Sequence, residues 1–379
     1  MCDGAGRICF HHICSHDGAR EPADAETFGG VMPALSTVHR QGRAPTVWGL
    51  QRRVRRALIK NVDERATMNS SAAGNDRRSP GRREHRRGRW RRRLTGSLVG
   101  AAVAGLLVGT YGVAIEPRLI LDEETIQARI PGLGAGWEDA EVMVFSDLQV
   151  GMWWDNTAMI ERVVETTVAA DPAAVLLPGD FLYQSETSLQ ERIQHVSRLL
   201  EPLTAAGIPV YAVMGNHDYG LGAVEELTVA FDEHGIEVLA NEAVAVPGTA
   251  PGPGLFVVGI GPSAVGEADP SAAFAEVPKD APRLVMMHNH TSFPEVPAGA
   301  APMAVAGHTH CGQIAVPLLS RWSYLGLTEE EELVADGFAP PDYGAEGNEM
   351  FVTCGIGFSL APVRINAPPQ LLTIELHPA

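Results

Sequence analysis

Short apolar runs recur along this chain, and chemically active polar residues follow them at once. Glu141 to Phe145, Ala173 to Leu177 and Val210 to Val213 have the length and apolar content of buried strands. Each is followed, after a loop, by a segment with apolar positions at helical spacing: Asn156 to Ala169, Ser188 to Leu203 and Ala223 to His234. This alternation predicts an α/β sheet with ligands gathered where strands end. Farther on, Ile236 to Leu239, Ala243 to Val246, Leu255 to Ile260, Arg283 to Met287, Met303 to Ala306, Gln313 to Val316, Glu349 to Thr353 and Leu371 to Leu376 read as strands, several separated by Gly or Pro turns. Two packed sheets flanked by helices accommodate them. Arg118 to Pro131, with Leu119, Leu121, Ile126 and Ile130 as apolar positions, predicts an edge strand feeding the domain. Thr328 to Gly347, acidic at Glu329 to Glu332 and holding Pro340-Pro341, predicts a solvated surface loop, with a lid over the site as the alternative.

Upstream the pattern changes. Leu94 to Ile115 is uncharged and rich in Leu, Val, Ala and Gly; as a helix it would span roughly 33 Å at about 1.5 Å per residue, enough to cross a bilayer. Arg86-Arg87, Arg89 and Arg91-Arg92-Arg93 crowd its N-terminal side. The positive-inside rule therefore places Asn69 to Arg93 in the cytoplasm as a disordered basic tail and everything after Glu116 outside. The Arg91-Arg92-Arg93-Leu94 run resembles a twin-arginine export signal. No convincing A-x-A site follows, so a retained single-pass anchor in the cell membrane is expected. Met1 to Thr67 lacks sustained periodicity, and Met68 is an alternative start that would leave residues 1–67 untranslated. The expected organisation is a basic N-terminal region at 1–93, a transmembrane segment at 94–115 and a folded domain at 116–379.

Charge sharpens this division. Through Ile115 there are 20 Lys and Arg against 9 Asp and Glu, and the remainder holds 9 against 37, which together give the net −17. So acidic a domain would repel a phosphate backbone, and no nucleic-acid partner is expected. Three of the five cysteines fall within the first fifteen residues, so no disulfide framework is expected. The cluster Cys9, His11, His12, Cys14 and His16 matches no paired-ligand zinc spacing.

The residues after the apolar runs carry the chemistry. They are Asp147 and Gln149, Gly179-Asp180, Gly215-Asn216-His217-Asp218, His288, and Gly307-His308-Thr309-His310. Asn offers a hard amide oxygen, and a neighbouring His can protonate a leaving group while an Asp steadies its imidazolium. Singly, each has a plain structural reading: Asp147 or Asp180 as a helix cap, His288 as a core histidine, Gly-Asn-His-Asp as a turn. His290 reads as a surface residue or one behind the ligands, Cys311 as a packed thiol, and Cys354 as a strand residue.

Taken in order, these motifs resemble those of the calcineurin-like metallophosphoesterase superfamily over roughly Ile115 to Leu376, and the ending Pro362-Val363-Arg364 to Pro368-Pro369 resembles its membrane-linked bacterial branch. The resemblance implies a four-layer α/β/β/α sandwich with a two-metal site that hydrolyses phosphate esters. It puts one divalent ion on Asp147, Asp180 and His310, with Gln149 where the family usually has His, and a second on Asp180, Asn216, His288 and His308. Mn, Fe, Zn and Mg all suit such ligands, with Mn favoured beside Gln149 because an amide oxygen is a harder donor than an imidazole. It further implies attack by a metal-bridging hydroxide, with His217 donating a proton to the leaving oxygen and Asp218 assisting. Alternatives are a pyrophosphohydrolase or phosphodiesterase on a lipid-linked substrate, or a weakly active metal-binding scaffold. Neither the substrate nor the oligomeric state follows from the sequence.

Overall fold

The computed structural model describes residues 80–248, 254–316, 319–323 and 337–379. The expectations for residues 1–67, for the Cys9–His16 cluster, for the tail before Pro80 and for Glu329–Glu332 lie outside them.

Fourteen strands are described: β1 (Asp122–Ile130), β2 (Glu141–Val144), β3 (Ala174–Leu177), β4 (Val210–Ala212), β5 (Ile236–Val238), β6 (Glu242–Ala245), β7 (Phe256–Ile260), β8 (Arg283–Met287), β9 (Ala304–Ala306), β10 (Ala315–Val316), β11 (Leu319–Ser323), β12 (Gly337–Phe338), β13 (Met350–Val352) and β14 (Gln370–Pro378). One six-stranded sheet has the order β1-β14-β2-β3-β4-β5 and another β12-β13-β9-β8-β7-β6. Strands β2 to β5 run parallel, as do β7, β8, β9 and β13. β1 is the edge strand the sequence predicts, paired in parallel with β14.

Successive strand residues point to opposite faces, and here both faces are covered, which is why the runs are continuously apolar. Val142, Val144, Leu176 and Tyr211 from the first sheet meet Val257, Leu284, Met286 and Phe351 from the second in one buried cluster. On the outer face of the first sheet, Met143, Val175 and Leu177 pack against Ile160, Val163, Val196, Leu200 and Phe231 of the helices Thr157–Ala170, Leu189–Ala205 and Val224–Glu233. Val258, Val285, Met287 and Val352 pack outward from the second sheet against Phe293 of a short helical turn and Val296 directly after it. The result is an α/β sandwich of two sheets with helices outside.

Three stretches depart from the expectation. The helix ahead of the domain begins at Pro80, inside the expected disordered tail; proline suits a first helical position, and arginine is a good helix former. It continues through a π turn at Tyr111–Ile115 to Leu119, so Arg118 and Leu119 end the helix and the edge strand starts only at Asp122. Within these residues Arg92–Leu119 is long and apolar enough to cross a membrane. The end of the expected surface loop is packed: β12 pairs with β13, and the Tyr343 ring stacks on Phe293 at 6.4 Å.

Candidate active site

Every motif predicted from the sequence sits just beyond a strand. Asp147 and Gln149 follow β2, Asp180 follows β3, Asn216 to Asp218 follow β4, His288 follows β8, and His308 and His310 follow β9. Asp147, Gln149, Asp180, His308 and His310 all adopt positive φ, between 47 and 74°. Side-chain-bearing residues rarely do so, and clustering of such conformations marks sites where the surroundings impose geometry for function. Glycines make room for the two carboxylates: a Cβ on Gly215 would collide with Asp180, and one on Gly355 would lie 2.7 Å from Asp147.

Asp180 is the hub. Its carboxylate accepts the His217 backbone N–H at 2.9 Å and the Gln149 amide at 2.9 Å, and lies 3.3 Å from His288 Nε2 and 3.9 Å from His217 Nε2. Burial by itself would raise its carboxyl, but the charge and hydrogen bond of His288, with His217 and His308, pull it below the usual range. His288 Nδ1 lies 2.7 Å from the Pro178 carbonyl and must donate to it. Its Nε2 then faces Asp180 and, at 3.0 Å, Asn216 Oδ1. Three lone-pair-bearing atoms converge, an arrangement that a cation stabilises. A proton on Nε2 serves that purpose: burial lowers the imidazole, yet Asp180 lifts it to about 9. A divalent ion would serve it too. Asp180, His288 and His308 bring one ligand atom each within 4.8 Å of one another.

The other expected set is arranged differently. Asp147 is fully buried, with its carboxylate held by Ser146 Oγ and by the His308 N–H at 3.1 Å, while His310 Nε2 stands 3.6 Å from it. His310 Nδ1, however, meets Arg364 at 3.2 Å. A guanidinium can only donate, so Nδ1 accepts and the ring proton sits on Nε2. Burial first, and then the Arg364 charge, drives this imidazole well below its usual range, so it stays neutral. Gln149 turns its amide nitrogen to Asp180 and leaves Oε1 buried without a protein partner, a donor atom that a cation could use.

Asp218 departs from its expected role beside the His217 imidazole. Its carboxylate accepts the backbone N–H groups of Asp180, Phe181, Leu182 and Gly215 at 2.9–3.3 Å. Four buried donors in two loops need an acceptor, and Asp218 supplies it, locking the Asp180 loop to the Asn216 loop. Burial, then the Asp180 charge, raises its carboxyl to about 7 despite those bonds. His217 instead rests against the Tyr183 ring at 5.1 Å, with its side chain 33% exposed at the mouth of the site. His290, expected at the surface or behind the ligands, is buried beside Tyr343.

Two features escaped the sequence reading. Cys311 and Cys354, 43 residues apart, form a disulfide rather than packed thiols; it joins the loop of His310 to the strand end beside Gly355. Arg364 is fully buried, donating to the carbonyls of Gly357, Cys354 and Ala367 at 2.8–3.0 Å as well as to His310. The only sequence signal was its place in the Pro362-Val363-Arg364 ending.

The family model of the calcineurin-like phosphoesterases matches residues 140–312. Residues 140–312 form a calcineurin-like phosphoesterase domain. The chain is 28% identical over 221 residues to phosphodiesterase YaeI of Escherichia coli (strain K12), a match covering 58% of this chain and 76% of that one. Among solved structures, TT1561 of Thermus thermophilus aligns with 57% of this chain and 90% of its own at 13% identity and a TM-score of 0.36. A dimetal phosphatase from Danio rerio aligns with 63% and 93% at 11% identity and the same TM-score of 0.36. The calcineurin-like phosphoesterase domain makes this chain a hydrolase of phosphate esters. Arg364 lies beyond the matched residues, yet it braces a histidine within them.

Proposed function

We propose that this chain is a metal-dependent phosphodiesterase, anchored by residues 94–115 and acting outside the cytoplasmic membrane. The convergence of Asp180, Asn216 and His288 Nε2 carries the reading, because these three donors suit a divalent ion that takes the place of the proton on Nε2. Asp180, Asn216, His288 and His308 would hold one ion. Asp147, Gln149, Asp180 and His310 would hold a second, for which His310 must first exchange its hydrogen bond with Arg364. Bound there, the ions would supply Lewis-acid polarisation of the phosphoryl group and of the attacking water.

The chain's own residues do the rest. Asp180 orients the His217 backbone and draws on its ring, and Tyr183 fixes the plane of that ring. His217 thereby stands at the mouth to hand a proton to the leaving oxygen. Asp218 keeps the two loops in register. The diester preference comes from the similarity to phosphodiesterase YaeI. The location draws support from the Arg-rich N-terminal flank of the apolar helix and from the Cys311–Cys354 bond, which persists in oxidising compartments. A lipid-linked substrate is the second reading, favoured by the packing of the helix end onto the loops of the site: the Gly112 carbonyl accepts the Arg364 backbone N–H at 2.8 Å.

The test is hydrolysis of bis(p-nitrophenyl) phosphate and p-nitrophenyl phosphate by the full chain in detergent. Chelation should reduce diester cleavage to background, and added Mn should restore it; an unchanged rate after the metal is stripped refutes the proposal. The two ligand sets should also differ in affinity. Elemental analysis of the purified chain is expected to find about one retained metal ion, because an amide is the weaker donor and Arg364 competes for His310. Gln149→His should raise this to about two and reduce the Mn requirement. Equal stoichiometry in both chains would refute the asymmetry.

A further inference from the structure

The end of the apolar helix is built into the site. The buried Glu116 carboxylate accepts the N–H groups of Asn366 and Ala367 at 2.9 and 2.7 Å. The buried Asn156 amide donates to Pro117 and Ile356 carbonyls at 3.0 and 2.9 Å. Arg118 donates to the carbonyls of Trp154 and Asp155, and its guanidinium lies 4.9 Å from the Trp154 ring and 5.0 Å from the Phe358 ring. The helix end is thus clamped to two loops, one directly after Asp147 and Gln149, the other running from Gly355 to Ala367.

Those loops carry apolar side chains that the domain does not cover. Trp153 is 66% exposed, Trp154 58% and Leu360 55%, and Leu119 and Ile120 at the helix end are exposed as well. Leu360 leads straight to the chemistry: its N–H donates to Tyr183 Oη at 3.1 Å, and the Tyr183 ring lies against His217. An indole combines an apolar body with one N–H donor and so partitions to the boundary between hydrocarbon and water. Two adjacent indoles and a leucine at the point where a membrane-crossing helix ends suit that boundary and little else, since water would penalise the same surface.

We infer that Trp153, Trp154 and Leu360 seat the catalytic domain in the interfacial layer of the bilayer that its own helix crosses, holding the mouth at His217 at headgroup level. The inference rests on the membrane-anchored reading above. The occupant is the lipid surface because Arg118, in the last turn of the membrane-crossing helix, lies on the Trp154 ring, and Leu119 and Ile120 directly after it are exposed. Domain and helix then form one rigid seat, and the site faces phosphates presented by the membrane.

The test uses the full chain reconstituted in nanodiscs of phosphatidylcholine with or without brominated acyl chains. Trp153→Phe/Trp154→Phe removes the two reporters and keeps an aromatic ring against Arg118, and hydrolysis of bis(p-nitrophenyl) phosphate should stay at the parent rate. The fluorescence difference between parent and variant is the emission of those two indoles. It should be strongly suppressed in the brominated discs; a difference of equal size in both kinds of disc overturns the inference. Trp153→Tyr, which leaves the Arg118–Trp154 contact in place, supplies the same comparison for one ring. A chain that fails to co-elute with nanodiscs overturns the anchored reading and the seating together, whereas co-elution with an unquenched difference overturns the seating alone.

Discussion

Asp180→Asn should abolish phosphodiester hydrolysis, with a loss on the order of 10³-fold in kcat under saturating Mn. The side chain hardly changes in size, so the close contact with Gly215 survives. What changes is charge and hydrogen-bonding sense. One carboxylate now accepts from the His217 backbone and the Gln149 amide and balances the imidazole of His288. An amide keeps one acceptor and turns its NH2 toward another donor, so either Gln149 or His217 loses its partner. The counter-charge that lifts His288 also disappears, and both proposed ion positions lose their shared ligand. Metal content should fall together with the rate, while circular dichroism remains that of the parent. Full activity in this variant would contradict the two-ion reading.

The largest expected effect on stability belongs to Arg364→Met. The guanidinium is fully buried, and its donors are matched to three carbonyls and one imidazole nitrogen in a fork that no other side chain reproduces. Methionine fills the volume but leaves those acceptors buried and unpaired, at a cost of about 3–5 kcal/mol by comparison with other broken buried networks. Arg364→Lys should recover only part of this, because an ammonium cannot span acceptors on Gly357, Cys354 and Ala367 together. The measurement is the unfolding midpoint of the full chain in detergent. A shift of Arg364→Met too small to resolve would show that water or the disulfide takes over the bracing.

The ends of strands could be read directly. Runs such as Val210 to Val213 and Arg283 to Met287 are apolar because both faces of each sheet are covered, so the strand signal is local and survives without tertiary knowledge. The chemical residues follow within a few positions of each run, and for Asp147, Asp180, Asn216, His288 and His308 adjacency in sequence and place in the site coincide. The apolar helix is equally local, since a span depends on length and composition alone.

Contacts between distant segments were decided elsewhere. Asp218 looked like a partner for its neighbour His217, but it turns to backbone donors of the Asp180 loop because burial leaves those N–H groups no water. Cys311 and Cys354 have no sequence spacing that announces a bond; β9 and β13 pair as neighbours and bring their Cα atoms to 4.7 Å. Arg364 reads as an ordinary charged residue near a chain end, and only a surrounding ring of carbonyls makes its burial tolerable. The sequence by itself determined which residue types stand at the strand ends and that one segment can cross a bilayer. The tertiary structure alone decided that His288 Nδ1 donates and His310 Nδ1 accepts, where Asp218 points and what the helix end grips, because each depends on donors and acceptors far apart in the chain that meet only once the two sheets pack.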